Sequence, residues 1–511
     1  MHPEMSDILI GIDAGTTAIK TAAFETDGTE LVHSSRENPV TKPNPDWAEQ
    51  DMDLLWAHTT ETIKETVRSI PESSKIAAVA VTGQGGGCWL VDEEGSPVRN
   101  AIIWNDGRAS DIVNNWRKNN IYDDLFERFG YGVFSGLALP ILKWIENNEP
   151  ETLKTANTLL GCKDWIRYNL TGELASEPTE LSLINYDPVT EEFVSKLPKG
   201  ITLPSLEDLL PSIKSPTAIA GKVTPSAAAK TELPEGTPVV TGVVDVAASA
   251  FGSGALTPGD CSVVAGTTLQ IQNILQSPNK SPPPVGYTLA LGINGMGLRA
   301  MGAMTGTPNL DWVRKTIAGG ESFETVESLA RSAPIGSEGV IYHPYLSTAG
   351  EKAPFVDPNA RAGFTGLNPS HDRSHLLRAV YEGLSLSLRD CSEKLPDKTN
   401  QIRLCGGGAR STLLCETFAD CLNTEVIIPA GIEMGAKGAA ILAATANGFY
   451  ENIEIAASEM IGIDKIYRPN SGHTHQYDAL YETYTEITAA LEKPWQQRAS
   501  MVSNWESLSS E

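Results

Sequence analysis

Cysteine is scarce and scattered. Seven thiols, at 88, 162, 261, 391, 405, 415 and 421, are odd in number and never spaced Cys-x-x-Cys, which excludes a disulfide framework and a zinc knuckle and fits a reducing, cytoplasmic setting. Positive charge is the second shortage. Lys and Arg total 39 against 64 Asp and Glu, a formal net charge of −25 over 511 residues, so neither nucleic acid nor an acidic membrane face is an expected partner. A site for a polyphosphate would then have to be locally neutral, built from backbone amides, hydroxyls and metal. No basic segment followed by a long apolar core opens the sequence, so no secretory leader is expected and Met5 is a candidate start. Residues 238–256 come nearest to a membrane span. They carry Asp245, several Gly and Ser and few large apolar side chains, and read instead as a buried strand and helix.

Several motifs are missing or incomplete. No G-x-x-x-x-G-K-[ST] occurs, which excludes a P-loop. Gly295-Met296-Gly297-Leu298-Arg299-Ala300 fits the loose dinucleotide fingerprint, but no helical pattern opens there and no acid follows in a βαβ context. His371 and His375 have helical zinc spacing without the Glu of H-E-x-x-H or a third ligand, and read as surface residues near a helix start.

What is present is organised around Ile8-Leu9-Ile10-Gly11-Ile12-Asp13-Ala14-Gly15-Thr16-Thr17-Ala18-Ile19-Lys20. An apolar strand runs into one carboxylate, a small turn with two hydroxyls, and a second strand. This is either an ordinary hairpin turn, or a turn whose amides face an anion while Asp13 holds a divalent cation against it. The length suggests two large or three smaller units. Residues 53–68 read as a helix and 76–81 as a buried strand ending in Thr82-Gly83-Gln84-Gly85-Gly86-Gly87; Ala101-Ile102-Ile103-Trp104 leads into Asn105-Asp106-Gly107-Arg108. Residues 111–175 alternate amphipathic stretches with short loops, and 196–238 suggest small strands over the core.

The design of the opening then recurs. Residues 237–244 form a strand running into the lone carboxylate Asp245, and Cys261-Ser262-Val263-Val264-Ala265-Gly266-Thr267-Thr268 repeats strand, Gly and two Thr. Two related halves are indicated, each with a Gly-Thr-Thr turn suited to phosphate. Farther on, 378–389 reads as a helix, and the strand Gln401-Ile402-Arg403-Leu404-Cys405 ends in Gly406-Gly407-Gly408-Ala409-Arg410-Ser411 before a helix over 413–422; bare backbone there suits a flat heterocycle or a phosphate. Tyr477, Leu480, Tyr481, Tyr484, Ile487 and Leu491 mark a C-terminal amphipathic helix. The alternation of strands and helices is α/β.

These blocks, in this order, resemble the FGGY carbohydrate kinases on the actin-like ATPase fold, over nearly the whole chain. They are Gly11 to Thr17, Gly242-Val243-Val244-Asp245, Gly266-Thr267-Thr268, and Gly406 to Ser411 with Gly435 to Ala440. The resemblance implies two ribonuclease H-like domains around a central cleft, expected at 1–254 (sugar and catalytic base) and 255–490 (nucleotide), with a tail over 491–511. It implies ATP and Mg²⁺, the phosphates clasped by Asp13, Gly15, Thr16, Thr17, Gly266, Thr267 and Thr268, and the metal met by Asp13 directly or through water. Adenosine is expected on Gly407, Gly408, Ala409, Ser411 and Gly435. Asp245 is the expected base, and Trp47, Gln84, Gly85, Asn105, Asp106 and Asp245 the expected sugar wall. A homodimer is left open.

Trp47-Ala48-Glu49-Gln50-Asp51 and Trp104-Asn105-Asp106-Gly107-Arg108 are most similar to xylulose kinases. D-Xylulose kinases usually carry Met-His after the Gln, where this chain has Gly85-Gly86; the Gly-rich loop with Cys88-Trp89-Leu90-Val91 is similar to kinases of L-xylulose or erythritol. The expectation is a ketopentose phosphorylated on its terminal hydroxyl, with a polyol such as erythritol as the alternative. A non-catalytic nucleotide switch of the same fold is the rival from another class.

Overall fold

The computed structural model describes residues 6–194, 196–203 and 206–509. Two sheets carry the chain, each built around one of the Gly-Thr-Thr hairpins. In the first, β1 (Asp7–Ala14), β2 (Ala18–Glu25) and β3 (Glu30–Glu37) form an antiparallel meander. On the other side of β1 lie β4 (Lys75–Gly83) and β6 (Pro238–Val240), both parallel to it, and the antiparallel edge strand β5 (Ile219–Lys222), giving the order β5-β6-β4-β1-β2-β3.

The second sheet repeats the plan. Antiparallel to β7 (Asp260–Ala265) runs β8 (Leu269–Leu275), followed outward by β10 (Gly297–Ala303) and β9 (Tyr287–Ala290). Parallel to β7 run β11 (Gln401–Cys405) and β12 (Glu425–Pro429), and β13 (Ile463–Tyr467) closes the edge antiparallel. The halves differ in where the antiparallel edge strand falls in sequence, before β6 in one and after β12 in the other. The dinucleotide-like Gly295 to Ala300 stretch runs into β10, so no helix opens there.

β1 is apolar throughout because both its faces are covered. Ile8, Ile10 and Ile12 pack with Leu55, Trp56 and Ile63, which lie on α1 (Met52–Ser69). Leu9 faces the opposite core. That core is shared by α2 (Asp245–Ser253) and α5 (Met434–Ala446), the latter supplied by the second half. These two helices consist largely of Ala and Gly because their backbones nearly touch. A Cβ on Gly252 would lie 1.9 Å from the Met434 carbonyl oxygen, one on Gly438 would lie 1.9 Å from that of Ala248, and one on Gly11 would lie 1.9 Å from that of Ala436. The small-residue stripe therefore sets how closely the halves approach, and with it the width of the cleft.

In the second half α3 (Arg373–Glu393) and α4 (Thr412–Leu422) cover β7 and β11 through Leu377, Val380, Leu384, Leu414 and Phe418. His371 and His375 sit at the start of α3, in hydrogen bonds with Asn368 and Asp372. α6 (Ser471–Ser509) passes through the stretch expected as a tail and continues it as helix. No helix among the described residues is long and apolar enough to cross a membrane.

Candidate active site

Asp13 stands at the end of β1 and Asp245 opens α2, and the two carboxylates lie close enough for Asp245 to feel the charge of Asp13. Burial pushes the Asp245 carboxyl up to about 7, helped by the charge of Asp13; the amides of Val246, at 2.8 Å, and Gly85 pull the other way. Burial likewise raises Asp13 to about 6, opposed by Lys20 and reinforced by Glu433. Lys20 faces Asp13 across the β1–β2 ladder and pairs with Glu433 at 2.8 Å, tying the hairpin to the start of α5. Oδ1 of Asp13 is buried without a hydrogen-bond partner. The Cys162 thiol lies beneath, donating toward the Ala14 carbonyl at 3.8 Å, and it feels both Asp13 and Asp245.

The two Gly-Thr-Thr turns are braced in the same way, by their carbonyls. Gly15 O accepts from Asn38 Nδ2 at 2.9 Å, Thr16 O from Gln50 Nε2 at 2.9 Å and Thr17 O from the Asn38 amide at 2.9 Å. In the other half Gly266 O accepts from the Thr307 amide at 2.8 Å and hydroxyl at 2.9 Å, and Thr267 O from the Gly306 amide at 2.9 Å. In a trans peptide the N–H opposes the C=O. With the carbonyls drawn back, the amides of Thr16, Thr17, Thr267 and Thr268 are aimed the other way, the arrangement of an anion-binding nest.

A chain of side-chain bonds runs from the first turn into the body of its half. Trp104 Nε1 donates to Thr16 Oγ1 at 2.8 Å, Thr16 Oγ1 to Gln84 Oε1 at 3.0 Å, and Gln84 Nε2 to Gln50 Oε1 at 2.7 Å. Gln84 is only 1% exposed and braces the turn through these bonds. Asp106, also 1% exposed, has both oxygens occupied by the Ala48 amide (2.6 Å) and by the amide and guanidinium of Arg108. Asp106 thus has its oxygens engaged within the protein, whereas Gln84 keeps one amide N–H and one carbonyl lone pair beyond its bonds to Gln50 and Thr16. Trp47 is half-buried against Arg108 (4.0 Å to the ring centroid) and Trp144 (5.2 Å). With the exposed Asn105 it lines a separate cavity of about 570 Å³ that also takes in Asp46, Ser110 and Asp111.

Gly85 lies against Leu183 and Val244, and Gly86, in the left-handed region at φ 76°, lies beside Leu137 and Trp104. Tyr287 and Gln270 escape a reading based on motifs, and Trp104 enters it only as part of the Trp104 to Arg108 block. Tyr287 Oη accepts from Gln270 Nε2 at 2.7 Å, and the tyrosine feels the charge of Asp245 from the other half.

Gly406 and Gly407 expose bare backbone after β11, while Gly408 is buried against Ala265. Ser411 caps α4: its hydroxyl accepts from the Leu414 amide at 3.2 Å and donates to Glu327 at 2.7 Å. Gly435 lies against Oδ2 of Asp13.

A fully buried ionic group supports Asp245 from below. Lys163 pairs with Asp164 at 2.6 Å and Glu177 at 3.1 Å, Arg167 pairs with Asp164 at 2.7 Å, and Ser176 donates to Asp164 at 2.6 Å. Glu177 accepts the Thr179 hydroxyl at 2.6 Å, and that hydroxyl in turn accepts from the amide of Val244, at 3.0 Å, next to Asp245. Glu180 accepts from the Gly86 amide at 3.0 Å, and burial pushes its carboxyl up to about 8.

The N-terminal domain of the FGGY family of carbohydrate kinases matches residues 8–252, and its C-terminal domain matches residues 261–447. The chain belongs to the FGGY carbohydrate kinases. An erythritol kinase of Brucella abortus is 32% identical over 97% of this chain and 99% of its own length. A xylulose kinase of Staphylococcus epidermidis is 30% identical over 94% of this chain and 97% of its own. The crystal structure of a ligand-bound xylulose kinase from Lactobacillus acidophilus superposes with a TM-score of 0.90 at 25% identity, covering 96% of this chain and 99% of that one. As an FGGY kinase the chain is a sugar phosphotransferase with the two-domain actin-like fold, and ATP is the substrate that the family implies.

Proposed function

We propose that the chain transfers the γ-phosphoryl group of ATP to the terminal hydroxyl of an open-chain ketopentose, xylulose in the first place, with Asp245 as the base. The observation that carries this reading is the half-buried Asp245 carboxylate at the head of α2, near enough to Asp13 to feel its charge and raised to about 7. A base poised near neutrality can take the acceptor proton as the O–P bond forms. Phosphoryl transfer asks little else of a protein than alignment and charge neutralisation. The outward amides of the two turns meet the phosphates, and the bare backbone at Gly406 and Gly407 receives the adenosine.

Magnesium fits the donor set. The orphaned Oδ1 of Asp13 is a hard, buried oxygen, and this ion commonly takes one or two carboxylates together with phosphate oxygens and water. When bound it would neutralise the phosphates, held by Asp13 alone or through water. Glu433, engaged by Lys20, closes that side of the site.

For the acceptor, Gly85 and Gly86 leave a smooth floor beside Leu137, Leu183, Val244 and Trp104. A second reading, erythritol, is favoured by this bare loop and by the Brucella abortus relative. The test is ADP release with D-xylulose, L-xylulose, L-ribulose, erythritol and glycerol. Xylulose is expected to give the highest kcat/KM; an erythritol lead of about tenfold or more replaces it with the second reading. ATP hydrolysis indifferent to every acceptor contradicts the kinase reading itself.

A further inference from the structure

Glu351 is 3% exposed, and its carboxylate gathers the amides of Met304 and Lys352, each at 2.8 Å. Met304 immediately precedes the Thr305-Gly306-Thr307 segment whose amides and hydroxyl hold the second Gly-Thr-Thr turn. The Glu351 loop is thereby fastened to that turn. From the outside α6 braces it: Tyr345 and Tyr484 share a hydroxyl hydrogen bond of 2.8 Å, and Phe355 stacks on Trp495.

From this platform the Lys352 side chain crosses to the other half. Its Nζ lies 5.9 Å from the centroid of the Trp104 ring, the ring that donates to Thr16 of the first turn. Among the described residues no carboxylate lies within ion-pair distance of this ammonium, whereas Lys20 is already engaged by Glu433. An exposed cation without an acidic partner, between two phosphate turns and in a chain of net charge −25, is matched to an anionic ligand. The cleft walls also lower its pKa by desolvation, opposed by Glu351.

The geometry points to Lys352 as the second half's contact to the transferred phosphoryl group, holding its charge as it passes from nucleotide to acceptor across the cleft. This rests on the kinase reading. In the step, the bond from the γ-phosphorus to the β,γ-bridging oxygen breaks and its electron pair leaves with ADP; the acceptor oxygen bonds to phosphorus and gives its proton to Asp245. Lys352 stays protonated throughout. Because its contact is to the γ-phosphoryl group alone, it distinguishes ATP from ADP.

The experiment compares Lys352→Met, Lys352→Gln and Lys352→Arg in the full chain, reading kcat, KM for sugar, KM for ATP, and ADP inhibition. Met and Gln are expected to lower kcat by about 100-fold and to weaken ATP while ADP inhibition and sugar KM stay unchanged; Arg restores much of kcat. Turnover of Met and Gln within about threefold of the parent overturns the assignment. Parallel weakening of ATP and ADP, which a purely structural role would produce, also overturns it. An unsubstituted chain without sugar-dependent ADP release contradicts the kinase reading instead, so the two failures are distinguishable.

Discussion

A Cβ built on Gly435 would lie 2.2 Å from Oδ2 of Asp13 and 2.8 Å from its carboxyl carbon. The first turn of a helix from one half thus defines the place of the carboxylate that ends the central strand of the other. Gly435→Ala leaves helix propensity better than before, yet it must push the Asp13 carboxylate aside. The expected outcome is a protein that folds and melts near the parent temperature while its kcat/KM for ATP falls by about 100-fold, read by steady-state kinetics and calorimetry.

The pH dependence follows from Asp245. With its carboxyl raised to about 7, the base is protonated in mild acid, so kcat/KM for sugar rises with pH and reaches half its plateau near pH 7. The stability effect has the opposite sign. The folded carboxyl is raised above its unfolded value of 3.8, so between those values the unfolded chain ionises first and the folded state loses stability as pH rises through about 7. Asp245→Asn removes that loss, and its gain in Tm is expected to be larger at pH 8 than at pH 5.

Thr16 both accepts from Trp104 and donates to Gln84. Thr16→Val keeps the shape and leaves the Trp104 N–H and the Gln84 carbonyl unpaired. KM for ATP is expected to rise about tenfold with little change in Tm, measured by ADP release and thermal unfolding.

Glu180 carries the corresponding test for the floor of the site. Its carboxyl is raised to about 8 by burial while Oε1 holds the Gly86 amide. Near pH 4 it is neutral in the folded and in most of the unfolded chain, and Glu180→Gln keeps the acceptor, so stability there changes little. The parent loses stability as pH rises from its unfolded value of 4.5 through about 8, and the variant does not. Thermal unfolding at pH 4 and pH 9 reads the difference.

The parts of the fold written in local pattern were legible from sequence. The apolar run of β1 reads as a doubly covered strand because both its faces are covered, and the second Gly-Thr-Thr block marks a repeated hairpin because the same turn chemistry recurs at Gly266. The wall of the site was less legible. Gln84 and Asp106 are polar residues at strand ends, a position that suggests contact with solute, but Gln50 and the Ala48 amide, distant in sequence, engage them together with the neighbouring Arg108. Trp104, Tyr287 and Lys352 reach the cleft through contacts between separate segments, which no local spacing encodes. Ser411 reads as part of a ligand loop and is also the cap of α4, a signal available from the helix pattern that follows it.

The most direct measurement is the turnover and sugar affinity of Asp245→Asn beside the parent protein. The account predicts that kcat falls by about 10²–10⁴-fold while the sugar Kd, from equilibrium titration, stays within about threefold. A variant that still transfers phosphate at near-parent rate would contradict Asp245 as the base and with it the reading of the site.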